Sequence, residues 1–371
     1  MKIGFDAKRL YNNFTGLGNY SRTLLQNLQE FYPENQYFLY SPKYQENPKT
    51  RPFLGAPYHP VFSKSFQPLW RSYLMTGQFK KDDLDVYHGL SHELPLNIKK
   101  SGVKSVVTIH DLIFKKYPQT FPLVDRNIYD FKFKRACANA DIVIAISEST
   151  KKDIVDLYGI HPTKIKVVYQ SCQPRYYQPS TLSGKVIKAQ YQIPAEYLLF
   201  VGSVETRKNL KLLVEAYGVL PKDLRIPLVI VGRPRQGVKE VKRLIQSLGL
   251  EKLVFWVENL SSNEHLQVVY QEAQVLVYPS VYEGFGLPVV EALLSNTPVI
   301  TSNVSSLPEA GGPNSLYINP NESEELAQAI EKVLVNTDLR QTMKEKGFDY
   351  AHSRFGRRVV TDRMMDIYSK K

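Results

Sequence analysis

The chain has 371 residues, 43% of them hydrophobic, and a formal net charge of +12 at pH 7. That length exceeds what one ordinary hydrophobic core serves, so two domains are expected, and the apolar share excludes a disordered chain. Two cysteines, Cys137 and Cys172, are too few for a disulfide framework and lack metal-ligand spacing.

No apolar run approaches the roughly 18 residues that span a bilayer. The opening Met1-Lys2-Ile3-Gly4-Phe5-Asp6 runs into a strand pattern rather than a secretory leader. A cytoplasmic location is expected. The positive charge calls for an anionic partner: nucleotide phosphates, lipid phosphates or nucleic acid.

Residues 2–5 read as the first strand. Segment 8–18, with Asn12, Asn13, Gly16 and Gly18, reads as a loop, and a helix is predicted from about Asn19 with Leu24, Leu25 and Leu28 on one face. Strand, glycine loop, helix is the order that cradles a phosphate. Gly16-Leu17-Gly18 lacks the third glycine of the dinucleotide fingerprint, however, and fits a bare turn as well. Residues 37–41 are a second predicted strand, and 42–81 an irregular stretch rich in Pro, Lys and aromatics. Apolar runs at 86–89, 103–109, 141–146 and 165–169, with helices around 125–139 and 148–158, predict a doubly wound α/β domain over residues 1–175.

Gln173-Pro174, Gln178-Pro179-Ser180 and Ser183-Gly184 mark a hinge. The α/β pattern then restarts, with strands at 197–202, 227–232, 254–257, 275–278 and 299–301 and helices at 209–217 and 238–248. These outline a second Rossmann-like domain over 190–352, followed by a helix at 355–371. Two such domains predict a ligand in the cleft between them, at the carboxyl ends of both sheets.

The most informative stretch runs from Val275 to Glu291. A buried strand gives way at Pro279-Ser280 to the turn Glu283-Gly284-Phe285-Gly286, and Pro288 stands where a first-turn helix proline would. A helix N-terminus suits a phosphate. Two flanking carboxylates would repel a phosphate unless they bind something uncharged beside it, and sugar hydroxyls fit. The stretch therefore reads either as a sugar-nucleotide site or as an ordinary capped helix with Glu283 and Glu291 in water.

The run Glu283-Gly-Phe-Gly-Leu-Pro-Val-Val-Glu291 is similar to the E-x7-E signature of family 4 retaining glycosyltransferases, which have the GT-B fold. Gly16-Leu-Gly18, His110-Asp111, Val201-Gly202 through Arg207-Lys208-Asn209, and Leu307-Pro308-Glu309 follow in the family's order, so the resemblance covers nearly the whole chain. It implies an α/β chain of two Rossmann-like domains facing across a cleft, the N-terminal one holding the acceptor and the C-terminal one the nucleotide sugar. The last helix would cross back onto the N-terminal domain.

Arg207 and Lys208 follow a strand that ends in glycine, where a planar fork and a point charge can grip a diphosphate. The family places a basic residue at the position of Lys208. Many members also carry an arginine after the strand-end glycine, where this chain has Ser203. Glu291 can accept both ribose hydroxyls, as the acid of dinucleotide sites does. Glu283 matches the family residue that contacts the donor sugar, and the amides of Phe285, Gly286 and Leu287 can reach sugar or phosphate oxygens. The resemblance sets Gly16, Gly18 and Gly202 near the donor phosphates, Val257 near the base, and His110 near the reacting centre. His88 stands similarly. Asp83-Leu84-Asp85 precedes a strand rather than following one, so it reads as surface charge; neither metal nor cofactor is expected.

The expected function is retaining transfer of a sugar, with GDP-mannose as first donor, to a saccharide or lipid-linked saccharide in surface polysaccharide synthesis. UDP-sugar transfer and sugar-nucleotide epimerisation are the same-fold alternatives. A nucleic-acid-binding protein would leave Glu283 and Glu291 unexplained, because acids in a basic cleft oppose phosphate backbones. Lysines and aromatics interleave in two N-terminal stretches, 62–81 and 114–135, and predict contact with an anionic membrane surface.

Overall fold

The computed structural model describes residues 1–63, 69–235, 237–260 and 262–370. They form two compact units, Met1–Ser171 with Arg357–Lys371, and Cys172–Gly356.

In the first unit seven strands are β1 (Lys2–Asp6), β2 (Gln36–Ser41), β3 (Tyr58–Phe62), β4 (Val86–Gly89), β5 (Lys104–Ile109), β6 (Ile142–Ala145) and β7 (Ile165–Val167). They pair in parallel in the order β3-β2-β1-β4-β5-β6-β7. The second unit repeats the plan with β8 (Leu198–Val201), β9 (Leu228–Val231), β10 (Val254–Val257), β11 (Val275–Tyr278), β12 (Val299–Ser302) and β13 (Leu316–Ile318), in the order β10-β9-β8-β11-β12-β13. β8, β9, β11 and β12 are buried along their whole length, which is why they read as continuous apolar runs. Chain direction across each sheet reverses once, between β1 and β4 and between β8 and β11. Outside the carboxyl ends of strands at such a reversal is where open α/β sheets bind ligands.

Several elements differ from the sequence reading. Segment 8–18 is not a loop: it holds a short helix, Lys8–Asn12, and the first turn of the helix Gly16–Phe31. Asn13 explains the early start, because its Oδ1 accepts from the amides of Thr15 and Gly18 at 3.0 and 3.1 Å. Gly18 is required there by close approach, since a Cβ would lie 1.7 Å from the Asn13 carbonyl oxygen. β3, inside the stretch read as irregular, carries Pro60. It pairs only with β2, and an edge strand tolerates the missing donor. The three-residue β13 is too short to read from pattern. The final helical pattern is two helices, Thr337–Phe355 and Arg357–Ser369, parted at Gly356.

The last helix closes the first unit through a buried polar chain. Tyr368 OH meets His88 Nδ1 at 2.6 Å, His88 Nε2 meets Thr108 Oγ1 at 2.8 Å, and Tyr20 OH meets Thr108 Oγ1 at 3.3 Å. Burial pushes the His88 imidazole down to about 3, so it is neutral at physiological pH. His88 is thus a joint in the core rather than a group presented to a ligand.

Candidate active site

The reversal between β8 and β11 brings together the residues that flank it. After β8, Gly202 lies beside the Lys208 side chain. A turn at Thr206–Lys208 ends on Asn209 at φ 56° and starts the helix Leu210–Val219. After β11 the chain turns through Glu283, and Gly286, at φ 109°, starts the helix Leu287–Leu294. The two turns are tied: the Val281 amide donates to the Arg207 carbonyl at 3.0 Å, and Ser306 Oγ donates to the carbonyls of Glu283 and Phe285 at 3.0 and 2.8 Å.

At the centre is the Glu283 carboxylate. Its Oε1 lies 2.6 Å from Lys208 Nζ, 2.9 Å from Arg207 Nη1 and 3.0 Å from the Tyr278 hydroxyl. Lys208 Nζ also donates to Tyr278 OH at 2.5 Å. Arg207 is held further by the Tyr282 carbonyl at 2.7 Å and by Glu205 at 2.8 Å. Burial alone would raise the Glu283 carboxyl, but Lys208 and Arg207 outweigh it and hold it at about 2. Burial lowers the Lys208 ammonium, with Glu283 pulling the other way. The result is a pair of desolvated cations aimed from one side by one carboxylate.

Glu291 does not join this cluster. It is half-buried on the helix after the turn, and its Oε2 accepts from Tyr270 OH at 3.1 Å. Burial raises its carboxyl to about 7, against the Tyr270 hydroxyl and Arg175. Phe285, Gly286 and Leu287 form the turn and helix start between the two acids. Val257 ends β10, two strands from β8, and is buried. Tyr278 and Tyr270, which orient the two acids, were missed in the sequence: each reads there as one more apolar position.

Gly16, Gly18 and His110 belong to the first unit. His110 is 4% exposed; its Nε2 donates to the Leu90 carbonyl at 2.9 Å and its Nδ1 accepts from Gln170 at 3.3 Å. Burial pushes it down to about 4. Asp83 and Asp85 both face Lys2, Asp83 pairing with its Nζ at 3.2 Å and Asp85 accepting from its amide at 2.7 Å, at the amino end of β1. Among the described residues no group of three His, Cys, Asp or Glu side chains is arranged to hold a metal ion.

Two family matches divide the chain as the units do. Residues 14–172 match Glycosyltransferase Family 4, and residues 185–350 match Glycosyl transferases group 1. The chain belongs to this glycosyltransferase family, and its fold is GT-B. It is 28% identical over 271 residues to O-antigen chain mannosyltransferase B of Escherichia coli, covering 72% of this chain and 69% of that protein. It is 28% identical to O-antigen chain mannosyltransferase RfbU of Salmonella typhimurium over 61% of this chain and 60% of that protein. The match to serotype-specific mannosyltransferase WbdA of E. coli, 27% identical, takes in 70% of this chain but spans a third of that longer protein, 33%. Among solved structures, Anabaena HepE in complex with UDP and glucose superposes with a TM-score of 0.76 at 18% identity over 100% of this chain and 99% of that one. WaaG, a glycosyltransferase involved in lipopolysaccharide biosynthesis, superposes with a TM-score of 0.71 at 18% identity over 100% of both chains.

The ionic character of the Glu283 cluster sets a pH dependence. A carboxyl held at about 2, below the ordinary 4.5, contributes stability that is present above pH 4.5 and lost as pH falls towards 2. The contribution is on the order of 3 kcal/mol. In urea denaturation, Glu283→Gln should therefore be less stable than the parent at pH 7, and the gap should narrow steadily between pH 5 and pH 2. A gap that is the same at both ends would mean that the pairing is not ionic.

Proposed function

We propose that this chain moves a sugar, with retention, from a nucleoside diphosphate to a hydroxyl of a saccharide acceptor. The observation that carries the reading is the convergence of Lys208, Arg207 and Tyr278 on the Glu283 carboxylate at the β8–β11 reversal. A diphosphate arriving there meets an ammonium and a guanidinium already desolvated and oriented, while Glu283 can accept from sugar hydroxyls. As the sugar C1–O bond breaks, negative charge grows on the leaving phosphate, and fixed cations stabilise that charge more than the ground state. The acceptor oxygen attacks C1 from the face the phosphate leaves, forming the new C1–O bond, and the phosphate oxygen takes the acceptor proton. Two cations and a helix N-terminus supply the positive charge, so the reaction is assigned as metal-independent. His110, engaged at both ring nitrogens, is assigned to holding the Leu90 loop rather than to proton transfer.

Mannose from GDP-mannose is the first donor, because the relatives named above are mannosyltransferases; a UDP-sugar is second, because the HepE structure contains UDP. Transfer from each donor to a mannoside acceptor, run in EDTA with the product anomer read by NMR, tests the reading. The expected product is α-linked mannoside from GDP-mannose at undiminished rate, and transfer that needs added Mn²⁺ or Mg²⁺ would overturn the metal-independent assignment. Glu291 adds a signature. An ionised carboxylate accepts both ribose hydroxyls, so GDP should bind up to about tenfold tighter at pH 8 than at pH 6 through this group. Calorimetry on Glu291→Gln should show that increment gone; an identical pH profile would detach Glu291 from the ribose.

The acceptor is assigned as lipid-linked, on the cytoplasmic face of an anionic membrane. The aromatics that suggested this in the sequence divide differently in the fold. Trp70, Phe79, Phe114 and Phe133 are in the core, while Lys115, Lys116 and Lys132 pair with Asp130, Asp153 and Glu93. Lys64 and Phe66 lie outside the described residues. What supports contact instead is one stripe of the helix Leu123–Asn139, where Val124, Ile128 and Phe131 are exposed and followed by exposed Arg135. Leu69, Tyr73 and Leu74 are also exposed, and Arg71 and Phe131 line one cavity of about 60 Å³. Among the described residues no helix is long and apolar enough to cross a membrane. Vesicles containing anionic lipid should sediment the chain at low salt, and Ile128→Ser with Phe131→Ser should weaken this at least several-fold. Sedimentation untouched by that pair would remove the membrane claim.

A further inference from the structure

The strands of the first unit all run parallel, so their amino ends share one edge of the sheet, opposite the carboxyl edge where such sheets bind their ligands. That amino edge holds a cavity of about 1100 Å³. Val86, Lys104 and Ile142, the first residues of β4, β5 and β6, line it, and Tyr368 of the last helix forms one wall. The walls are mainly apolar: Val86 and Tyr368 are buried, and Val103 and Ile142 half-buried.

The rim is basic. Lys99, Lys166 and Lys370 stand on it, and Arg363 lines a smaller cavity of about 250 Å³ that shares Ile142, Lys166 and Lys370 with the first. The acids nearby are engaged with backbone. Asp85 accepts the Lys2 amide at 2.7 Å, and Asp141 Oδ2 accepts the amide and the hydroxyl of Ser105, both at 2.7 Å. Asp366 lines the smaller cavity. Among the described residues Lys99, Lys166, Arg363 and Lys370 form no ion pair with these acids or any other. Lys99 also lies close enough to Lys164 to lower that ammonium, second only to burial. Lys104 differs from the rim lysines. Its Nζ donates to the carbonyls of Ile367 at 2.5 Å and Tyr368 at 3.2 Å and to that of Lys370, so it caps the last helix and holds the wall in place.

Unpaired cations gathered around apolar walls cost the fold energy twice, through like-charge repulsion and through apolar surface left in water, unless a ligand covers them. Lysines on flexible stems hold a phosphate as point charges. The cavity is far larger than a phosphate fills, and its walls suit a hydrocarbon chain. A lipid within a bilayer keeps its tail there, whereas these walls lie inside the protein and fit a single molecule.

We propose that this cavity binds a free phosphate ester with a hydrocarbon tail, its phosphate held by Lys99 and Lys166 and its tail laid against Val103, Ile142 and Tyr368. The site stands apart from the transfer chemistry and does not rest on it. Tyr368 is both a wall of the cavity and the partner of His88 Nδ1, so an occupant steadies the seat of the last helix.

The test titrates the full chain by calorimetry with n-octyl phosphate below its micelle-forming concentration, beside inorganic phosphate and n-octyl glucoside. Octyl phosphate should bind saturably and raise the Tm, with an affinity that saturating GDP leaves unchanged. Inorganic phosphate lacks the tail and octyl glucoside the charge, so each should bind roughly tenfold or more weakly than octyl phosphate. Lys99→Ala with Lys166→Ala, both exposed, should weaken octyl phosphate roughly tenfold or more. Val103→Asp, which sets a charge against the tail, gives the same reading should the double variant fail to fold. Octyl phosphate bound equally by the parent and these variants would overturn the proposal, because the exposed stripe of the helix Leu123–Asn139 or the Lys208 cluster would then be holding it. Inorganic phosphate bound as tightly as octyl phosphate would overturn the tail and leave an anion patch. If octyl phosphate fails to bind while phosphatidic acid vesicles sediment the parent but not the double variant, the lysines serve a bilayer surface and the proposal falls.

Discussion

A buried carboxylate facing two partly buried cations is the constraint on which the second unit depends. Removing Glu283 would leave Lys208 without its anion at a site largely out of water, which is far more costly than the pair is stabilising. Glu283, Arg207 and Lys208 therefore have to be delivered together, and the fold does this by ending β8 and β11, neighbours at the sheet's reversal, in turns that hydrogen-bond to each other. Tyr278 completes the arrangement from the last position of β11. In the proposed reaction this geometry also serves the substrate: Lys208 and Arg207 are held in place by Glu283, so a diphosphate would meet two oriented cations rather than order two flexible side chains.

The two units solve burial of polar groups differently. The second uses ions at its ligand edge. The first threads neutral hydroxyls and an imidazole through its core, Tyr368 to His88 to Thr108 to Tyr20, fastening the last helix to the sheet. It keeps its own ion cluster, Asp6 and Glu93 on Arg71, near the ends of β1 and β4.

Local chemistry made much of this legible in the sequence. Apolar runs marked the parallel strands, and the Glu283–Gly286 turn before Pro288 marked a helix start at a strand end. Adjacent Arg207 and Lys208 after a strand-end glycine marked a pair of cations at a strand end, and the fold turns both onto Glu283. Partners distant in sequence were not legible. Lys208 meets Tyr278, 70 residues on, and Glu283, 75 residues on, and no periodicity encodes such a pairing. Gly16 and Gly18 looked like a loop because glycine lowers helix propensity, yet Asn13 caps the turn and Gly18 is needed for packing rather than flexibility. The aromatics of 62–81 and 114–135 looked like surface because lysines surround them. Several fill the core, and the exposed apolar stripe is made of Val124, Ile128 and Phe131, whose helix has no strong overall amphipathic signal.

The central claim is that Lys208 and Arg207 hold the outer phosphate of a nucleoside diphosphate. The most direct test compares GDP with GMP by calorimetry in the parent chain and in Lys208→Ala. The parent should prefer GDP by roughly tenfold or more, as expected for a hydrogen bond between charged groups. In Lys208→Ala that preference should collapse while GMP affinity stays near the parent's. An undiminished preference for GDP in folded Lys208→Ala would contradict the account and place the diphosphate elsewhere.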